Sequence, residues 1–160
     1  MKEKVVVRIS DMKIAQGRKE LITFALGSCV GISFYDPVRK MGALLHVLLP
    51  ERVDERDSNL MKYADSGVHE TVRQLRMQGF ARNITVVKIA GGATMFQGTG
   101  QGALSKIGDR NVESVRRALT REGLHITASD TGGTVARTMS LDLESGTVTI
   151  REATGQIRYL

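Results

Sequence analysis

The chain has 160 residues and a formal charge of +6 at neutral pH, with 41% hydrophobic, 25% charged and 4% aromatic residues and no tryptophan. These proportions are those of an ordinary globular protein and suit one domain over residues 1–160, with a core that needs neither disulfide nor metal staples. The single cysteine excludes an intrachain disulfide, and the scarcity of aromatics argues against the stacking platforms that single-stranded nucleic acid requires.

In chain order, the N-terminal sixteen residues carry too short an apolar run for a signal segment. The longest apolar stretch, Met41 to Leu49, is interrupted by His46 and is too short to insert across a bilayer. The expected location is therefore the cytoplasm. Val5, Val6, Val7 and Ile9 predict an opening strand, and Leu21 to Leu26 predict another. Val30, Ile32 and Phe34 alternate with Gly31, Ser33 and Tyr35, the period-two pattern of a strand. Asp36-Pro37 signals a turn, and Ala43 to Leu49 returns as an apolar strand.

A helix is predicted over Ser58 to Gln78, capped by Ser58 and stopped at Gly79, because Leu60, Ala64, Val68, Val72 and Leu75 recur at helical spacing. Ile84 to Ala90 is a buried-strand candidate. Asp109 to Glu122 predicts a second helix, with Asp109 at its N-cap and Gly123 as its stop. Leu124 to Ala128, Thr134 to Leu143 and Thr147 to Glu152 read as strands. The expected fold is α/β: a single-domain mixed α/β layered sandwich with two main helices packed on β-sheet.

The stretch that carries chemistry is Phe24 to Pro50. It holds the lone thiol, Cys29, after a Gly27-Ser28 lead-in, and the first of three histidines, His46. A hairpin reversing at Pro37-Val38 places Asp36 opposite Arg39, and the same register places Cys29 directly opposite His46, with Cβ atoms about 5 Å apart. An imidazole at that distance accepts the thiol proton and later protonates a leaving group. Gly27 and Ser28 would allow close approach of a substrate backbone, with neighbouring main-chain N–H groups to hold an oxyanion. A lone cysteine is also a common small core residue, and a histidine in an apolar strand is commonly a satisfied core histidine.

The sequence resembles the chemoreceptor glutamine deamidase family, CheD. The resemblance is carried by Leu26-Gly27-Ser28-Cys29-Val30, Tyr35-Asp36-Pro37, Gly42-Ala43-Leu44-Leu45-His46 and Leu49-Pro50. It continues through Gly91-Gly92-Ala93-Thr94-Met95-Phe96, Ile107-Gly108-Asp109-Arg110-Asn111 and Asp130-Thr131-Gly132-Gly133. It implies an enzyme that converts receptor glutamines to glutamates with release of ammonia, Cys29 being the nucleophile and His46 the general base and acid. Thr23 matches the family's third catalytic position and would orient His46. The implied partners are the helical cytoplasmic domain of chemoreceptors and the phosphatase CheC, with no cofactor. A non-catalytic module that regulates receptors or CheC, and a thiol esterase acting on receptor methyl esters, are the alternatives.

Gly91 to Gly102 follows a strand and precedes a helix, but its glycines lack the spacing of a dinucleotide or phosphate loop, so a loop shaping a substrate cleft is expected. The Ile107–Asn111 block is expected to cap its helix and touch that cleft. His69 and His125 have no cysteine or carboxylate at metal-ligand spacing and read as structural or surface residues. Arg73, Arg76, Arg116, Arg117 and Arg121 form a candidate basic face for an acidic helical partner.

Overall fold

Strand β4 (Val30–Asp36) is buried along its whole length. Val30, Ile32 and Phe34 pack into one apolar cluster with the helices, while Tyr35 and the neighbouring Cys29 pack into a second cluster on the other face. A strand covered on both faces must lie in a middle layer, and the architecture is built around it. The computed structural model describes residues 2–95 and 106–160.

Among the described residues, ten strands form two five-stranded sheets. The first contains, side by side, β1 (Glu3–Val6), β3 (Lys19–Leu26), β8 (Arg137–Asp142), β9 (Val148–Glu152) and β10 (Ile157–Tyr159). The second contains β2 (Asp11–Gln16), β5 (Met41–Val47), β4, β6 (Val86–Gly91) and β7 (Ile126–Thr131). Helices α1 (Ala64–Met77) and α2 (Ile107–Arg121) bury Val68, Val72, Leu75, Val115 and Leu119 against the second sheet. The order of layers is sheet, sheet, helices, the mixed α/β sandwich that the periodicities predict. Each fully buried aliphatic side chain contributes about 1.5–3 kcal/mol relative to exposure.

Strand β6, helix α2 and the parallel strand β7 form a crossover unit. Such units place functional loops at the carboxyl ends of their strands. Here that end is Gly91, which lies beside Cys29. Among the described residues no helix is long and apolar enough to cross a membrane.

Three local expectations are corrected. The β4–β5 hairpin does not reverse at Pro37-Val38: Asp36 pairs with Met41, leaving a four-residue loop. The Asp36 carboxylate accepts the N–H groups of Val38 and Arg39 at 2.9 and 3.2 Å, and Lys40 takes φ 54°, so side-chain bonding sets the loop length. The first helix begins at Ala64, not Ser58, because Tyr63 is extended and bridges to Leu49. Before it lies a short 3₁₀ turn, Leu60–Lys62, capped by Asn59. The second helix begins at Ile107 with Lys106 at its N-cap, so Asp109 sits inside the first turn and caps nothing. Gly79 and Gly123 end the two helices with φ 89° and 72°, as expected.

Candidate active site

The hairpin register decides where the thiol lies relative to the imidazole. Gly31, not Cys29, is the direct partner of His46, so the expected face-to-face pairing is wrong by two residues. Two residues is one full period of a strand, and Cys29 therefore stays on the same face as His46, as its diagonal neighbour. Gly31 has no side chain, and Met139 and Leu26 of the facing sheet fill the space above it; the thiol makes no hydrogen bond to Nε2 in the resting structure. Both residues point into the seam between the sheets, where Cys29 is 6% exposed and His46 is 0% exposed.

Across the seam stands Thr23 on β3. A bulge in β3, with register shifting between Thr23 and Leu26 and Ala25 at φ 59°, turns both Thr23 and Leu26 inward and leaves Phe24 and Ala25 outside. Thr23 Oγ1 lies 2.7 Å from His46 Nδ1 and 2.7 Å from the Val7 carbonyl oxygen. A hydroxyl has one hydrogen, and a carbonyl oxygen only accepts. Thr23 therefore donates to Val7 and accepts from Nδ1–H. That fixes the tautomer: Nε2 carries the free lone pair. Nε2 is buried with no hydrogen-bond partner among the described residues.

Burial lowers His46 to about pKa 4 and pushes the Cys29 thiol up. At neutral pH the resting pair is thus a neutral thiol and a neutral imidazole. This has a stability consequence. The unfolded chain takes a proton on His46 near its ordinary 6.5, whereas the folded chain resists until about 4. The contribution is complete above pH 6.5 and declines as pH falls through the window from 6.5 to 4. The slope approaches about 1.4 kcal/mol per unit and the total about 3 kcal/mol. Chemical denaturation at pH 7, 5.5 and 4 is expected to show wild type losing this increment relative to His46→Gln. Parallel pH dependences in the two proteins would refute it.

The bend Gly27–Ser28–Cys29 is held by its carbonyls. Gly27 O accepts from Ala93 N at 2.8 Å, Cys29 O from Gly92 N at 2.8 Å, and Ser28 O from Asn111 Nδ2 at 2.9 Å. With all three carbonyls committed, the N–H groups of Ser28 and Cys29 meet no acceptor from any other described residue. The Gly27 N–H is already bonded to Ala25 O at 3.0 Å. Met95 covers Gly27, its Cγ 3.0 Å from where a Cβ would stand.

The glycines of this region are explained by backbone approach. A Cβ on Gly91 would lie 2.2 Å from Cys29 O, and one on Gly108 would lie 2.4 Å from Ala93 O. The Gly91–Gly102 loop expected to shape a cleft begins here, but Phe96 to Gly102 lie outside the described residues. Asp130 binds the guanidinium groups of Arg137, at 2.7 Å, and Arg158, at 2.5 Å, which hold its carboxyl below the ordinary range, Arg158 first. His69 is exposed and contacts Glu122 at 2.7 Å, and His125 is exposed, both far in sequence from the thiol. Of the candidate basic face, Arg73, Arg76 and Arg117 are each engaged by an acidic side chain. Exposed pairs of this kind contribute little to stability.

The family model described as CheD chemotactic sensory transduction matches residues 48–152. The chain belongs to the CheD family. A probable chemoreceptor glutamine deamidase CheD of Clostridium novyi (strain NT) is 39% identical over 160 residues, 99% of each chain. One of the same description from Pyrococcus abyssi is 41% identical over 157 residues, 97% of this chain and 95% of that one. A third, from Moorella thermoacetica, is 43% identical over 151 residues, 93% and 90% of the two chains. Among solved structures, a Bacillus licheniformis hypothetical protein, YfiH, superposes with a TM-score of 0.50 at 16% identity, over 76% of this chain and 50% of that one. At that identity the likeness concerns the fold alone.

Two contributors to this candidate site had no signal in the sequence. The Val7 carbonyl, which sets the Thr23 hydroxyl, is a main-chain group in an edge segment. The link between Asn111 and Ser28 spans 83 residues.

Proposed function

We propose that this protein is a cysteine-dependent protein-glutamine deamidase acting on chemoreceptors, as the names of its relatives describe those proteins. The observation that carries the reading is the Nε2 of His46, without a hydrogen-bond partner among the described residues, on the same inter-sheet face as the chain's only cysteine. A fixed, neutral imidazole with a free lone pair is a base ready to take a thiol proton.

The steps balance as follows. Nε2 takes the Sγ proton as sulfur bonds to the carboxamide carbon of a glutamine side chain. The carbonyl oxygen becomes an oxyanion, received by the N–H groups of Ser28 and Cys29 beside Gly27. The imidazolium returns its proton to the leaving nitrogen, and ammonia departs from a thioester. Water, deprotonated by the same Nε2, attacks the thioester, and the imidazolium proton goes back to sulfur as glutamate leaves. Thr23 keeps Nε2 available throughout by accepting from Nδ1. Charge on the imidazole is transient, which suits a site where burial disfavours it.

The helical cytoplasmic part of a chemoreceptor is the substrate this reading requires, and CheC is a further partner. The test is peptide mass of a chemoreceptor cytoplasmic fragment after incubation with wild type or Cys29→Ala. Wild type is expected to add about one mass unit at particular glutamines, the change from carboxamide to carboxylate, and Cys29→Ala none. Equal gains with both proteins would overturn the reading.

A further inference from the structure

Asn111 is fully buried, and its side chain reaches two main-chain groups at once. Nδ2 donates to Ser28 O at 2.9 Å and to Leu48 O at 3.0 Å. The first carbonyl belongs to the residue before Cys29. The second lies two residues beyond His46, just past the end of β5. The amide orientation is settled by chemistry: turned over, Oδ1 would face two carbonyl oxygens with no hydrogen between them. Both N–H bonds of the amide are therefore spent, and Oδ1 is left buried without a partner among the described residues. A buried acceptor left unpaired costs about 1–3 kcal/mol, so this arrangement is not one that packing alone would select.

We propose that Asn111 is a positioning residue that sets the thiol against the imidazole, by tying the bend that carries Cys29 to the exit of the strand that carries His46. The proposal rests on the reading of Cys29 and His46 as the reacting pair. The physical need is specific. The two residues are diagonal neighbours, not direct partners, and Cys29 precedes β4, so ladder bonds alone do not fix it. The carbonyls of Gly27 and Cys29 are tied to the strand β6 side, through Ala93 and Gly92. Ser28 alone is tied to α2, and through the same amide to β5. Removing that amide frees the bend relative to His46 while leaving its attachment to β6.

Ser114 supplies the control. It lies one turn further along α2, and its hydroxyl donates to Pro50 O at 2.8 Å. It clasps the same exit segment but does not touch the bend. Ser114→Ala therefore reports what loss of one buried helix-to-segment bond does to stability, without loss of the Ser28 contact.

The experiment measures the rate at which iodoacetamide alkylates Cys29, from pH 5 to 10, in wild type, Asn111→Asp and Ser114→Ala, with thermal unfolding of each. Asn111→Asp keeps the shape but replaces two donors with an acceptor. Its alkylation profile is expected to shift in midpoint, and its rate at pH 7 to change by about tenfold or more, as misplacement of a reacting group does. Ser114→Ala is expected to match the wild-type profile within about twofold, even where its melting point falls. If deamidation is observed, Asn111→Asp is expected to lower kcat with little change in KM. A folded Asn111→Asp with the wild-type alkylation profile overturns the proposal. If Asn111→Asp does not fold, Asn111→Ser and Asn111→Ala replace it, and failure of all three to fold also overturns it, since Asn111 would then serve the fold as a whole. Alkylation needs no protein substrate, so an absent deamidase activity defeats the proposed function without touching this result.

Discussion

Cys29→Ala, His46→Gln and the double variant are expected to reduce kcat for deamidation by the same large factor, about 10³ or more, with the double no worse than either single. The reason lies in the resting state of the pair. Burial raises the thiol and lowers the imidazole, so neither is ionised before substrate arrives. The proton must move as the carbon–sulfur bond forms. Without Nε2 the thiol has no acceptor and remains a poor nucleophile at neutral pH. Without sulfur the imidazole has nothing to activate. In the proposed mechanism the two act in one step, so removing the second after the first has nothing left to remove. Gln at position 46 keeps a polar group near Thr23 and limits the structural loss. The measurement is kcat for all three proteins on one glutamine substrate, with unfolding curves to show that each is folded. Losses that multiply in the double variant would mean that the residues act independently.

What the sequence permits a reader to infer about this site depends on parity more than on distance. The hairpin prediction misplaced Cys29 by two residues along β5, yet a shift of two keeps every side chain on its face. The shared face of Cys29 and His46 was therefore legible, while their direct pairing was not. The error came from the loop: its length is set by the Asp36 carboxylate bonding Val38 and Arg39, an effect that apolar alternation does not encode. Strands β4 and β5 were readable because burial imposes their composition. Strand β2, Asp11–Gln16, is an edge strand with no fully buried position, and β10 is a three-residue strand at an edge of the other sheet, so neither imposes a readable apolar pattern. The proximity of Thr23 to His46 was expected only from the resemblance to CheD. Residues twenty-three apart on different sheets leave no periodic trace. The sequence places Asn111 in a block expected to touch a cleft, but its double contact is a property of the tertiary structure.

Gly91→Ala is expected to cost about 4 kcal/mol or more of stability, among the largest effects of any single methyl group in this chain. Gly91 has φ 112°, a conformation that an L side chain resists, and this alone costs about 1–3 kcal/mol. The added carbon would also stand 2.2 Å from the carbonyl oxygen of Cys29. That oxygen cannot step aside cheaply, because the next residue's N–H, Gly92, holds it at 2.8 Å. Relief requires β6 to part from the start of β4, at the point where Val30 pairs with Gly91. Gly17 separates the two causes. It has φ 89°, but a Cβ there meets nothing within 4 Å, so Gly17→Ala carries the backbone strain without the collision. Urea unfolding of both variants is expected to place Gly17→Ala within about 1–3 kcal/mol of wild type and Gly91→Ala well beyond it. Equal losses would mean that strain alone governs Gly91 and that the close approach to Cys29 has no energetic weight. A greater loss at Gly91 would tie the stability of the sandwich to the same contact that holds the cysteine bend, leaving that bend with little freedom to vary while the fold persists.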